Sequence, residues 1–231
     1  PLHIAEIRPV LQRPDVPTLR ICVCFPQGKL RLQLQILDLS GLQLAGDYNK
    51  SNVLCAAALA EDLAGAAKGA NVSLMLTLGT GVGGGIILDN KIYSGNRHVG
   101  GELGHMVIEK DGRPCSCGRK GCFEAYSSAS GLIRMTKEAM EEDKDSIMWP
   151  MSEEDGHVSG RLAFNAMRKG DASAKKVVDK YIKHLAAGVT NIINTFQPDI
   201  LCLGGGVCNE GDPLIVPLKE LVKQEVYSKN S

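Results

Sequence analysis

The chain has 231 residues, enough to bury a substantial core in one or two domains, and its 26 Lys and Arg balance its 26 Asp and Glu. A formal net charge of zero provides no field to draw in nucleic acid or an acidic membrane surface. No apolar run is long enough to cross a bilayer, no charged-then-apolar leader opens the sequence, and the eight cysteines show no disulfide rhythm, so a cytoplasmic protein is expected.

In chain order, residues 1–46 are rich in Leu, Gln, Arg and Pro, with Cys22 and Cys24 in a short apolar patch that no pattern places. Residues 52–67 read as an alanine-rich helix. Apolar runs at 72–78 and 85–89 read as strands on either side of a glycine-rich turn, and Asp89-Asn90 as a turn into Ile92-Tyr93. A helix is expected over 128–140, and the acidic run Glu141-Glu142-Asp143 is most simply its solvated end. Residues 141–160, with Pro150 and mixed acids around Trp149, break periodicity and read as a mobile surface excursion. A short helix at 160–169 ends at Gly170. The clearest helical face follows at 172–196, where Val178, Tyr181, Ile182, Leu185, Val189, Ile192, Ile193 and Phe196 recur every three or four positions until Pro198 stops it. That helix leads into a strand at 200–203. Strands alternating with helices predict an α/β layered domain. His98, His157 and His184 read as surface or helix-face residues, and Met135, Met140, Met148 and Met151 as core and loop filler.

Chemistry concentrates in the middle of the chain. Cys115, Cys117 and Cys122 put three thiols into eight residues, and His105 of Glu102-Leu103-Gly104-His105 stands ten residues upstream. These supply four soft or borderline ligands, a closed structural set for tetrahedral zinc. Gly118 and Gly121 let the loop fold tightly enough to aim its sulfurs at one point. Ordinary reduced thiols are the bland alternative, and an iron–sulfur cluster would lack a fourth cysteine at suitable spacing. Glu102 and Glu124 flank the ligands and could face a polar substrate.

The run Leu78-Gly79-Thr80-Gly81-Val82-Gly83-Gly84-Gly85 offers exposed backbone amides and the Thr80 hydroxyl as a cradle for phosphate oxygens. It contains no P-loop lysine and does not open a helix as a dinucleotide fingerprint must. Alone, such a hairpin is as readily a structural turn. A second cluster, Gly204-Gly205-Gly206, follows a short apolar strand and shifts the balance, because bare backbone there lets a flat nucleoside lie against it.

These residues together resemble the ROK family of sugar kinases, repressors and open reading frames. The glycine hairpin 78–85, the Glu102-x-Gly104-His105 element, the loop Cys115-x-Cys117-Gly118-x-x-Gly121-Cys122-x-Glu124 and the late Leu203-Gly204-Gly205-Gly206 occur in that family's order and spacing, over roughly residues 56–228, with a texture close to the bacterial glucokinase branch. The resemblance implies an actin-like, ribonuclease-H-like ATPase fold, mainly its C-terminal lobe. It implies that His105, Cys115, Cys117 and Cys122 hold structural zinc, and that Asn52, Glu102, His105 and Glu124 contact sugar hydroxyls. Gly79, Thr80, Gly81 and Gly83 would meet ATP phosphates, and Gly204, Gly205 and Gly206 the adenosine, with Mg2+ on the phosphates. The implied partners are a hexose, most simply glucose, and ATP; the family's dimers allow a homodimer here.

At one position the chain departs from that pattern. The family carries an Asn-Asp pair ahead of its alanine-rich helix, the aspartate being the catalytic base; here Asn52 matches the asparagine and Val53 stands in place of the aspartate. Valine accepts no proton, and Asp47 is six residues too early to replace it. Residues 1–50 also lack the family's Asp-x-Gly-Gly-Thr phosphate loop, so they are read as an aberrant or unassigned segment, out-of-frame or misjoined, ahead of a kinase lobe at 51–231. Against the family pattern the chain looks clipped at both ends. Three functions are therefore carried forward: a hexose kinase of impaired activity, a non-catalytic sugar-binding regulator, and an incomplete gene product. For the regulator, residues 1–46 show neither two amphipathic helices nor a basic stripe.

Overall fold

The computed structural model describes residues 4–6, 20–23, 70–89, 91–96 and 99–227. The helix expected over 52–67, together with Asn52, Val53 and His98, lies outside the described residues.

The described strands are β1 (Ile4–Glu6), β2 (Arg20–Val23), β3 (Val72–Leu78), β4 (Val82–Leu88), β5 (Lys91–Ile92) and β6 (Ile200–Gly204). They form one mixed sheet in the order β1-β2-β6-β3-β4-β5. The middle of it is parallel, with β6 flanked by β2 and β3, while β1, β4 and β5 each run antiparallel to a neighbour. Strands β1 and β2 thus bring part of the unassigned N-terminal segment into the sheet, Cys22 opposite Cys202 in register.

The helices are α1 (Glu124–Ser127), α2 (Ala129–Glu142), α3 (Met148–Glu154), α4 (Leu162–Arg168), α5 (Ala172–Phe196) and α6 (Asp212–Glu225). Helix α5 organises them, touching α1, α2, α4 and α6. Its sequence explains why it forms. Asp171 caps it by accepting the Ala174 N–H at 2.6 Å, and Val178, Tyr181, Ile182, Leu185, Val189, Ile192 and Ile193 turn one buried stripe toward the sheet. Gln197, in the left-handed region at φ 46°, ends it ahead of Pro198. The stripe joins Leu74, Leu76 and Leu78 of β3 and Leu201 and Leu203 of β6 in a single core. Each fully buried leucine there contributes on the order of 1.5–3 kcal/mol of burial. The α/β layering read from the sequence is therefore present. No helix among the described residues is long and apolar enough to cross a membrane.

Two expectations change. Strand β4 begins at Val82 rather than residue 85, because Gly83, Gly84 and Gly85 stay extended; a Cβ on Gly84 would lie 2.4 Å from the Gly101 carbonyl oxygen, so glycine here serves close backbone approach rather than a turn. The stretch read as a surface excursion carries α3. Met148 is fully buried, the Trp149 indole N–H donates to the Met140 carbonyl at 2.9 Å, and Asp171 accepts from both Ser146 Oγ and the Ile147 N–H. Pro150 does not block the helix because it falls in the first turn, where a backbone N–H has no intrahelical partner.

Candidate active site and metal centre

Beyond β5 the chain turns through Gly101, at φ 86°, into a single 3-10 turn at Leu103–His105. Gly104 sits beneath β4 so closely that a Cβ would lie 2.2 Å from the Val82 carbonyl oxygen. Only glycine allows this approach, and it sets His105 beside the glycine hairpin. The cysteine loop then folds as a small knuckle, closed by backbone bridges between Val107 and Cys122 and between Pro114 and Lys120. Gly118 and Gly121 take φ of 85° and 78°, and a Cβ on Gly121 would collide with the Glu109 carbonyl.

The knuckle brings all four predicted ligands together: one ligand atom from each of His105, Cys115, Cys117 and Cys122 lies within 4.8 Å of every other. Cys117 and Cys122 sulfurs are 3.7 Å apart, and Cys115 Sγ lies 3.6 Å from His105 Nδ1. Tetrahedral zinc with Zn–S near 2.3 Å and Zn–N near 2.05 Å requires edges of about 3.8 Å between sulfurs and about 3.6 Å between sulfur and nitrogen. Those two edges match, and the remaining separations of up to 4.8 Å would close by small side-chain movements, so the donor set fits zinc in chemistry and approximately in size. Without a metal, burial pushes the Cys122 thiol up to about 12, while the backbone N–H of Arg119 draws Cys117 below its ordinary value. A metal would have to displace the Cys122 proton.

His105 was expected both to hold metal and to contact sugar, and its two ring nitrogens face different neighbours. Nδ1 faces Cys115, while Nε2 lies 3.9 Å from a Glu102 carboxylate oxygen. Glu124, at the start of α1, completes the group: its Oε1 lies 3.7 Å from Cys115 Sγ and accepts from Ser116 Oγ at 3.4 Å, while its Oε2 accepts the Val82 N–H at 3.1 Å. Glu102, His105 and Glu124 thereby border the candidate metal ligands, and Glu124 is bonded to the hairpin.

The two glycine clusters meet at the carboxyl ends of parallel strands. Thr77 of β3 pairs with Gly204 of β6. Beyond them Gly205, at φ 94°, passes so close to β3 that a Cβ would lie 2.5 Å from the Leu78 carbonyl oxygen. Positions 79 and 206 by contrast have open space where a Cβ would stand. Thr80 is exposed at the tip of the turn, and Gly81 lies under Glu124. Gly83 sits one step inside β4, opposite Thr77. Ligands of open α/β sheets bind at the carboxyl ends of strands, and the bare backbone here is at that end.

Some supporting residues escaped the sequence reading. Arg119 donates to the His105 carbonyl at 3.0 Å. Arg113 donates its backbone N–H to Tyr126 Oη at 2.6 Å, and its guanidinium pairs in a fork with Glu138, holding that carboxyl below the usual range. The Tyr126 ring stacks on His184 at 4.6 Å between centroids, so His184 is half-buried and burial lowers its pKa. These contacts join residues far apart in sequence, and no local spacing signals them.

Known proteins resemble this chain in sequence and fold. A glucokinase of Halalkalibacterium halodurans is 39% identical over 173 residues, covering 74% of this chain and 52% of the relative. The xylose repressor of Bacillus subtilis is 30% identical over 176 residues, covering 75% of this chain and 41% of the repressor. Among solved structures, a ROK family glucokinase from Streptomyces griseus in complex with glucose and AMPPNP superposes with a TM-score of 0.68 at 30% identity, over 75% of this chain and 57% of that one. The chain thus spans about half the length of the kinases it matches. The fold is the actin-like ATPase fold of these sugar kinases. With residues 49–231 matching the ROK family and its glycine, histidine and cysteine elements gathered at one end of the sheet, the chain belongs to the ROK family.

Proposed function

We propose that this chain is the sugar- and nucleotide-binding lobe of an ATP-dependent hexose kinase, with glucose the favoured sugar. The observation that carries this reading is the continuity of the site. Steps of 3.9, 3.6 and 3.7 Å lead from Glu102 through His105 and Cys115 to Glu124, whose other oxygen bonds the glycine hairpin. Hexose hydroxyls both donate and accept, and carboxylates beside an imidazole suit them. Glu102, Glu124 and His105 Nε2 would orient the sugar, and the backbone of residues 79–83 and 204–206 would hold the nucleotide. The similarity to a glucokinase of Streptomyces griseus with glucose and AMPPNP bound supports both halves.

His105, Cys115, Cys117 and Cys122 would hold zinc with all four positions filled by protein, so its contribution is to fix the loop that carries the sugar contacts. Magnesium would arrive with the phosphates and neutralise charge developing on them. No base is assigned: Val53 stands where the family pattern has aspartate, and loss of a general base costs about a hundred- to ten-thousand-fold in rate. This chain is therefore expected to bind zinc and sugar and to turn over weakly or not at all.

A coupled assay with glucose and MgATP tests this. Turnover within about tenfold of an intact relative would contradict the loss of the base. A second reading, a sugar-responsive regulator without catalysis, draws on the similarity to the xylose repressor. Stabilisation by sugar without turnover and without any response to nucleotide favours it, and no response to either ligand favours an incomplete gene product.

A further inference from the structure

The stretch of chain that leaves the metal set is also the stretch that grips the glycine hairpin. Cys122 and Phe123 are fully buried. Phe123 donates its N–H to the Met106 carbonyl at 2.7 Å, and its ring occupies the space that a Cβ on Gly188 would need. Two residues after Cys122, Glu124 Oε2 accepts the Val82 N–H at 3.1 Å on one arm of the turn. Further on, Ala129 donates its N–H to the Gly79 carbonyl at 2.7 Å on the other arm. Gly81 sits between, and a Cβ there would lie 2.2 Å from Glu124 Oε2, so the carboxylate occupies a place that only glycine leaves open.

We propose that Glu124 is a positioning residue that transmits metal occupancy to the glycine hairpin, so that loading the His105, Cys115, Cys117 and Cys122 set orders the backbone of residues 79–83 for an anionic phosphate group. The inference rests on the zinc reading given above. The mechanism is short: Phe123 is wedged, so fixing Cys122 fixes the origin of α1, and the Glu124 carboxylate carries that constraint across a charge-assisted bond, stronger than one between neutral groups. Release of Cys115 and Cys122 frees both ends of the loop that orients the carboxylate. Glu124 keeps a lone pair for a sugar hydroxyl, since a carboxylate accepts at about four sites and Val82, Ser116 and the Cys115 thiol use three. Metal loop, sugar and hairpin therefore share one side chain, and metal occupancy should tune the nucleotide side as well as the sugar side.

Backbone hydrogen exchange of peptides covering residues 79–84 tests this on the full chain, zinc-loaded and chelator-stripped, with bound zinc counted in the same samples. The expected result is that zinc slows exchange at Val82 roughly tenfold in the unmodified chain and by a smaller factor in Glu124→Gln, whose neutral amide oxygen still accepts but more weakly. Glu124→Ala and Gly81→Ala should keep their zinc and lose the slowing. A carboxylate serving only stability would change both metal states alike. Bound zinc with no effect on hairpin exchange overturns this inference and leaves the zinc reading standing, as does slowing that persists in both Glu124→Ala and Gly81→Ala. Absence of bound zinc overturns both.

Discussion

Helix α5 and the segment at 101–124 lie within one folded unit and reach their shapes by different means. In α5 the determinant is side-chain volume: Tyr181, Leu185 and Val189 are fully buried in a core shared with Phe164, Leu74 and Leu203. In the segment at 101–124 it is the absence of side chains, since Gly104 and Gly121 each bring backbone against a carbonyl that a Cβ would strike. A core built from volume fails when volume is removed, whereas a loop built from close approach fails when a single carbon is added. The four candidate metal ligands lie wholly in the second region, whose Phe123, Leu103, Met106 and Ile108 pack on the shared core, and on the zinc reading proposed above a common ion would hold its shape.

The largest expected effect separates the two regions from the core side. Phe164→Ala should cost about 3–5 kcal/mol in urea unfolding, while the fraction that remains folded keeps its zinc at full stoichiometry. Equal loss of zinc in that fraction would mean that the regions are not separable. The reverse experiment adds a carbon. Gly104→Ala, with its new Cβ against the Val82 carbonyl, should cost about 1–3 kcal/mol and should weaken zinc retention while the helical circular dichroism stays unchanged. Retention equal to that of the unmodified chain would show that the loop absorbs the displacement.

The smallest effect sharpens the account of the helical layer. Burial alone would raise the Asp171 carboxyl, but bonds from Ala174, Ser146 and Ile147 outweigh it and hold the group below its ordinary value. A depressed folded value means that its stabilisation is fully present above the unfolded value, about 3.9, and is lost as pH falls through the lower folded value. Asp171→Ala should therefore cost about 1 kcal/mol near neutral pH, and the gap between variant and unmodified chain should narrow below about pH 4. A gap independent of pH would assign the effect to packing.

The same contrast sets how much the sequence could reveal. Helix α5 was legible to its last turn because volume leaves a period, and the meeting of His105 with Cys115, Cys117 and Cys122 was legible because cysteine and histidine are rare and closely spaced. The start of β4 was not, since a run of glycines reads as a turn and its true reason, the approach of Gly84 to Gly101, is a contact between distant residues. Helix α3 was hidden by Pro150 and by the acids around Trp149, because the bond from Trp149 to Met140 and the shared acceptor Asp171 are tertiary. In the site, residue types announced Glu102, His105 and Glu124, but nothing local announced that Glu124 bonds Val82 or that Arg119 steadies the His105 carbonyl.

X-ray absorption at the zinc edge of the purified chain is the most direct test of the organising role given to the metal. The account predicts three sulfur neighbours near 2.3 Å and one nitrogen near 2.0–2.1 Å, with no oxygen in the shell. An oxygen ligand in place of a sulfur, or a chain that retains no zinc, would contradict it.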